Sequence, residues 1–166
     1  MEMKNSPTTT GCVLSSVATA EYPAIHGMIG WYNYNRERNI DYYTLLFKDR
    51  KNKKNLEALG IKSQDIYQCD SKMNKLKRKI TALFPEGIVD SNFSKFVLNK
   101  NRIAYYNIEE AFKKVTENIQ KNINIQTFTY LYLPYVDAKS HKNGVYSKEV
   151  RNVINEIENE LTKLKE

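Results

Sequence analysis

One strand-like segment most constrains the fold of this chain. Thr127 to Leu133 reads TFTYLYL, a nearly continuous run of β-branched, aromatic and aliphatic residues that ends at Pro134. The run lacks a clean alternation of polar and apolar residues. A segment of this kind is typical of a strand that is buried on both faces, as in a parallel α/β sheet.

Amphipathic helices are predicted on both sides of this strand. Asn107 is positioned to cap the first helix, whose apolar face comprises Ile108, Ala111, Phe112, Val115 and Ile119. The second helix is predicted from Ser147 to Lys165, and its apolar face comprises Val150, Ile154, Ile157, Leu161 and Leu164. Helix, strand and helix in this order predict an α/β fold with a mostly parallel sheet flanked by helices.

The preceding part of the chain predicts shorter elements. Tyr42 to Phe47 and Ile80 to Phe84 have the composition of strands, and Ser71 to Arg78 has the spacing of a short basic amphipathic helix. A short helix from Asn55 to Leu59 is expected to stop at Gly60.

Length and composition indicate one soluble domain. The 166 residues, of which 41% are hydrophobic, suit a single domain with a real core. No apolar run is long enough for a membrane span, and no apolar h-region follows Lys4, so we expect neither a membrane anchor nor a secretory signal. The two cysteines, Cys12 and Cys69, predict no disulfide framework. A cytoplasmic location follows as an expectation.

The chain is basic, with a formal net charge of +7. This charge favours anionic ligands and leaves a basic nucleic-acid-binding domain as one alternative. However, the abundance of Asn, Lys, Ile and Tyr is typical of AT-rich coding, and the cluster from Lys48 to Lys54 has the composition of a solvated loop. The tyrosines follow apolar strands rather than basic stripes, so nucleic acid is not the favoured partner.

The N-terminal stretch from Ser6 to Trp31 carries the first candidate site. Three threonines follow Pro7, and a run of small residues from Cys12 to Ala20 places Val13, Val17 and Ala20 at helical spacing. Thr9 or Thr10 would occupy the N-cap, where backbone N–H groups and the helix dipole favour an anion. A capped, buried helix with no ligand explains the same residues.

Asp137 and His141 form the second candidate site. They are four residues apart in the segment that follows Pro134, which we expect to be a loop. Ligands collect beyond the carboxyl ends of strands in α/β folds, so this is a suitable place for a site. A carboxylate and an imidazole can bind one divalent ion, and Zn²⁺ accepts both. Both residues are also common turn formers in polar loops, and zinc normally requires three or four protein ligands. These residues therefore offer half a site.

Together the two segments resemble the type I phosphodiesterase/nucleotide pyrophosphatase branch of the alkaline phosphatase superfamily. The first motif is carried in order by Pro7, Thr10, Thr19, Tyr22, Pro23, His26 and Gly27, with Ala20 in place of the family's usual glycine. The second motif is carried by Asp137, His141 and Gly144, followed by Ser147, Glu149 and Val150. Two motifs in the right order are more specific than either alone.

The resemblance implies a metal-dependent phosphoester hydrolase. Thr10 aligns with the family's nucleophile, which contacts a metal ion and forms a covalent phospho-threonine intermediate, and Thr9 is the fallback. Asp137 and His141 align with ligands of one of the two ions in the complete family site, for which Zn²⁺ is expected. A phosphoester or nucleotide small molecule is the implied substrate.

The resemblance also indicates an incomplete site. The Asp-bearing strand that precedes the nucleophile in full members, and the Asp-His pair that follows the second motif, have no counterpart in residues 1–166. We therefore expect a single partial alkaline phosphatase-like domain over residues 1–166, weakly active or inactive alone. Self-association, or a complementary chain that supplies missing strands, is a further expectation. A non-catalytic remnant or interaction protein on the same scaffold is the alternative.

Overall fold

The computed structural model describes residues 9–165, which divide into two compact units. Ser6, Pro7 and Thr8 of the N-terminal stretch lie outside the described residues. The first unit runs to Leu76 and includes Asp90–Asn99, and the second comprises Lys77–Val89 and the chain from Lys100 onward. The single partial domain over residues 1–166 stays a prediction.

The first unit begins with two helices. Helix α1 spans Thr10–Thr19 and ends at Ala20, which has a left-handed φ of 54°, and helix α2 spans Pro23–His26. The residues that α1 buries are the small ones, Gly11, Cys12, Ser15, Ala18 and Thr19. Val13 and Val17 are exposed, so the predicted apolar face of this helix is wrong. Small side chains allow close packing, and the Ser15 and Thr19 hydroxyls are satisfied by carbonyls one turn back, at 2.6 and 2.8 Å.

An antiparallel sheet of three short strands follows. Strands β1 (Tyr32–Asn35), β2 (Ile40–Tyr43) and β3 (Lys48–Asp49) pair in chain order. The predicted strand from Tyr42 to Phe47 is therefore wrong beyond Tyr43, because the chain turns there and Phe47 adopts a φ of 52°. Phe47 is nonetheless buried, which fixes the turn against the core.

Short helices complete the first unit. They are α3 (Ser63–Ile66), α4 (Asn92–Val97) and 3₁₀ turns at Glu57–Leu59 and Lys72–Lys75. The predicted stop at Gly60 is confirmed by its φ of 74°, whereas the predicted helix from Ser71 to Arg78 shortens to the second 3₁₀ turn. The core of this unit includes Tyr67 stacked on Phe96, with ring centroids 4.4 Å apart.

The second unit is a parallel α/β sheet, as predicted. Strand β4 (Lys79–Pro85) lies between β5 (Arg102–Tyr105) and β6 (Thr127–Leu131), and both neighbours pair with it in parallel. A 3₁₀ turn at Glu86–Ile88 follows β4, and helix α5 spans Ile108–Gln120. The predicted cap of α5 is confirmed, because the Asn107 side chain accepts the Glu110 N–H at 2.8 Å.

Two expectations for this unit are wrong. Among the described strands β6 lies at an edge of the sheet, and its residues are half-buried or exposed, so β4 is the strand buried on both faces. The segment after Pro134, predicted as a loop, forms helix α6 (Tyr135–Asn143). Helix α7 follows at Lys148–Lys165 and buries Val150 and Val153, while Ile154 and Leu161 remain exposed.

An apolar groove of about 580 Å³ remains beside β6 in this unit. One wall is Thr129 and Leu131 of the strand, and the other is the later part of α7, including Ile157, Leu161 and Leu164. The apolar face of α7 is therefore only partly covered, and its later residues line the groove. Over the whole described range, no helix has the length and apolar character needed to cross a membrane.

Candidate active site

Thr10 is the first residue of α1, and Thr9 occupies the N-cap position. The Thr9 backbone is extended, with φ −71° and ψ 143°, but its side chain makes no capping hydrogen bond. The predicted hydroxyl cap is therefore wrong. Thr10 is half-buried, and its hydroxyl has no hydrogen-bond partner among the described residues. A hydroxyl that is not engaged by the helix remains available to an external group.

The residue after Thr10 packs against the chain that follows α2. A Cβ atom on Gly11 would lie 3.4 Å from the Gly30 carbonyl oxygen and 3.5 Å from Leu45 Cγ. Both distances are ordinary van der Waals contacts, so a methyl group fits at this position. The start of α1 is therefore in contact with Gly30 and Leu45 of the same unit.

His26 connects α2 to α1. Its Nδ1 atom accepts the Met28 N–H at 3.0 Å, so the ring proton must lie on Nε2, which is 2.9 Å from Ser16 Oγ. Burial lowers the pKa of His26 and favours the neutral ring. In this tautomer Nε2 donates to Ser16 and cannot remove its proton. The Ser16–His26 contact is thus structural, and no sequence spacing indicated it.

Asp137 and His141 lie one turn apart on α6. Asp137 Oδ1 is 3.5 Å from His141 Nε2, and the two side chains are 64% and 82% exposed. Asp137 is in the first turn of α6 and His141 in the last, which matches the helix dipole. The structure thus brings together the two residues of the second motif, on a helix instead of the predicted loop.

The surroundings of this pair are aromatic. Tyr132 follows β6 and lies near Asp137, since burial and then the Asp137 charge raise the pKa of its phenol. Burial also raises the pKa of Tyr130 to about 12. Both phenols therefore stay protonated at neutral pH, and Asp137 and His141 are the nearby groups suited to ligating a cation.

The pair fits one divalent ion as two of its ligands. With metal–ligand bonds of about 2.0–2.2 Å, two ligand atoms on a tetrahedral ion lie roughly 3.3 Å apart, close to the 3.5 Å observed here. Within residues 9–165, however, no group of three or more His, Cys, Asp or Glu side chains lies together as a metal site. The described residues therefore supply two ligands where zinc normally takes three or four.

Thr10 belongs to the first unit, and Asp137 and His141 belong to the second. The roles of all three residues stay predictions.

The fold and these residues define a class of protein. It is an α/β protein in which a carboxylate–imidazole pair follows the carboxyl end of a parallel strand, a location typical of ligand sites. The type I phosphodiesterase/nucleotide pyrophosphatase family model matches residues 3–166. The chain belongs to this family, which confirms the resemblance. Membership supports a protein of the phosphoester hydrolase type. The comparison with curated proteins found no match.

Proposed function

We propose that this chain carries the phosphoryl-transfer chemistry of a metal-dependent phosphodiesterase or nucleotide pyrophosphatase. The observation that best supports the proposal is the spacing of Asp137 Oδ1 and His141 Nε2, which suits two ligands of one cation. Their place after β6, in a chain that matches the family over residues 3–166, supports the same assignment.

Thr10 is the proposed nucleophile. Its Oγ1 forms a bond to phosphorus while the bond from phosphorus to the leaving oxygen breaks, and the hydroxyl proton passes through solvent to the leaving oxygen. Water then cleaves the phospho-threonine ester, which releases the phosphate product and restores the hydroxyl. The N–H groups of the first turn of α1 favour the negative charge on the phosphoryl oxygens.

Asp137 and His141 are the proposed metal ligands of this chain, with Thr10 as a further metal contact. A bound divalent ion, for which Zn²⁺ is expected, supplies Lewis-acid stabilisation and lowers the pKa of water. Because the described residues provide only two such ligands together, we expect weak turnover from this chain by itself.

The experiment is a search for the covalent adduct. The protein is incubated with bis-(p-nitrophenyl) phosphate and Zn²⁺, quenched in acid and analysed by peptide mass spectrometry. Attack on this diester expels one p-nitrophenolate, so we expect a p-nitrophenyl phosphate group on Thr10. It should be absent from Thr10→Ala and retained in the matched control Thr9→Ala. An adduct that survives Thr10→Ala and disappears in Thr9→Ala would assign the nucleophile to Thr9. Turnover by the unmodified protein with no adduct on Thr10 or Thr9 would refute the covalent mechanism.

We also propose a second copy of the chain as a partner at the apolar groove. Residues 123–136 contain no charged side chain, and α7 has four cationic and four anionic ones, so this region of a +7 chain is nearly neutral. An uncharged edge strand beside exposed apolar residues favours pairing with another strand. The uncharged edge strand and the exposed apolar residues beside it also favour the non-catalytic interaction protein as the second candidate function.

A further inference from the structure

The antiparallel sheet of the first unit has a solvent face that neither motif explains. In its register Tyr32 lies opposite Tyr43, and Tyr43 lies opposite Lys48. Residues directly opposite each other in such a sheet point to the same side. Tyr34, two residues after Tyr32, shares this side, so three tyrosines project from one surface.

The other side of the same sheet forms part of the core. Tyr42 lies opposite Asp49, and both are buried. In contrast, Tyr32 and Tyr34 are 51% and 56% exposed. One side of the sheet therefore packs in the core, and Tyr32 and Tyr34 lie on the side that faces solvent. We call the solvent side the tyrosine face, defined by Tyr32, Tyr34, Tyr43, Lys48, Arg50 and Lys53.

Cations lie directly on these rings. Arg50 Cζ is 4.1 Å from the centroid of the Tyr32 ring, and Lys53 Nζ is 4.7 Å from that of Tyr43 and 3.0 Å from its hydroxyl. Lys53 and then Arg50 lower the pKa of the Tyr43 phenol, which reflects a positive local field. Planar rings and cationic groups are thus paired on this surface.

The segment that carries this sheet is basic. Residues 31–54 contain seven Lys and Arg and three Asp and Glu, so this short segment carries +4 of the net charge of +7. Of the three carboxylates, Asp49 is buried and accepts the Lys51 and Asn52 N–H groups. Asp41 shares the tyrosine face opposite Tyr34, and Glu37 lies in the turn between β1 and β2. The cations outnumber the carboxylates on this surface.

We propose that the tyrosine face binds single-stranded nucleic acid. Exposed rings and the Arg50 guanidinium offer planes on which bases stack, while Lys48, Arg50 and Lys53 neutralise the backbone phosphates. Stacking on this face requires unpaired bases, which a duplex does not present. The proposal does not depend on hydrolysis, because it concerns the first unit's sheet and not Asp137 or His141.

The proposal can be tested by fluorescence anisotropy. The probe is a labelled oligothymidylate about 15 nucleotides long. EDTA is present throughout, so that the reading is independent of the proposed metal chemistry. We expect binding that weakens as salt rises from about 50 to 200 mM, because phosphate contacts release counterions. Tyr32→Ala/Tyr34→Ala should raise Kd about tenfold or more.

Matched controls separate this face from general charge and aromaticity. Tyr106→Ala/Tyr146→Ala removes two more exposed tyrosines, 71% and 91% exposed, and should leave Kd unchanged. Arg50→Gln/Lys53→Gln should weaken binding and reduce its salt dependence, whereas Lys148→Gln/Arg151→Gln should not. Tyr34→Phe keeps the ring and should bind like the unmodified protein, which would assign the contact to the ring and not to the hydroxyl. Circular dichroism of the alanine variant checks that it is folded.

Several results would overturn the proposal. The first is a duplex of the same length that binds as tightly as the single strand. The second is phosphatidylserine vesicles that compete as well as oligothymidylate, which would indicate a general anionic surface. The third is equal Kd values for the two double-tyrosine variants, which would show that the tyrosine face is not the contact.

Discussion

The Nδ1 atom of His26 accepts the backbone N–H of Met28 at 3.0 Å, and this bond fixes the proton of the buried ring on Nε2. The ring thereby donates to Ser16 at 2.9 Å and holds α2 against α1. Protonation of Nδ1 would place two donors against each other inside the core. The contact is therefore stable only while His26 is neutral.

His26 should make the first unit sensitive to mild acid. Burial lowers its pKa from the ordinary value of 6.5, so its contribution to stability is present above about pH 6.5 and is lost as the pH falls towards the folded-state pKa. Urea unfolding at about pH 7.5 and 5.5 should show a lower free energy of unfolding at the lower pH. His26→Gln should reduce this difference, and the exposed control His141→Gln should retain it. An unchanged difference in His26→Gln would contradict this assignment.

A side chain at Gly27 should destabilise the first unit, mainly because of the backbone conformation. It has a φ of 75°, and an added Cβ would lie 2.8 Å from Gln68 Cδ. Gly60 has nearly the same φ, 74°, but open space around it, so Gly60→Ala isolates the backbone cost of about 1–2 kcal/mol. The crowding atoms are the end of the exposed, flexible Gln68 side chain, which can move aside, so Gly27→Ala should cost at most about 1 kcal/mol more than Gly60→Ala. Chemical denaturation of both variants measures the difference, and a much larger loss in Gly27→Ala would show that Gln68 is held in place.

Asp137 and His141 should bind a divalent cation with little effect on stability. Because both are exposed, the contact between their side chains is worth at most about 1 kcal/mol, whereas loss of either removes one of two ligands. Asp137→Asn and His141→Gln should each weaken Zn²⁺ binding about tenfold or more in titration calorimetry. Asp90 and Cys69 lie in the other unit, so Asp90→Asn and Cys69→Ser serve as controls. If Asp137→Asn and His141→Gln both bind Zn²⁺ with unchanged affinity, these two residues are not metal ligands.

The groove beside β6 should mediate self-association. Leu161 lines it and is 45% exposed, so Leu161→Glu places a charge where an apolar contact is proposed. Sedimentation velocity should show self-association weakened about tenfold or more. Val145→Glu, at an exposed apolar position that does not line the groove, should leave it unchanged. A protein that is monomeric at all concentrations would contradict the proposed pairing.

Local signals in the sequence predicted several features of both units. Asn107 caps α5 and Gly60 ends its 3₁₀ turn as expected, because a cap depends on a few neighbouring residues. The composition of TFTYLYL predicted a parallel strand, and the two motifs predicted the family that matches residues 3–166. These features are encoded within short stretches of chain.

Other features depend on which distant segments meet. Val13 and Val17 have helical spacing, yet they are exposed, because the small residues of α1 are the ones that pack closely. The spacing of Asp137 and His141 suited a loop as well as a helix, and helix α6 placed them one turn apart.

The sequence by itself determined the Asn107 cap of α5, the stop at Gly60, the parallel pairing of β6 and the family of this protein. The tertiary structure decided that β6 is an edge strand among those described, and that three tyrosines share a solvent face with Lys48, Arg50 and Lys53. The physical reason is that capping and strand propensity arise from adjacent residues. Burial and strand register are set by contacts between residues far apart in the chain.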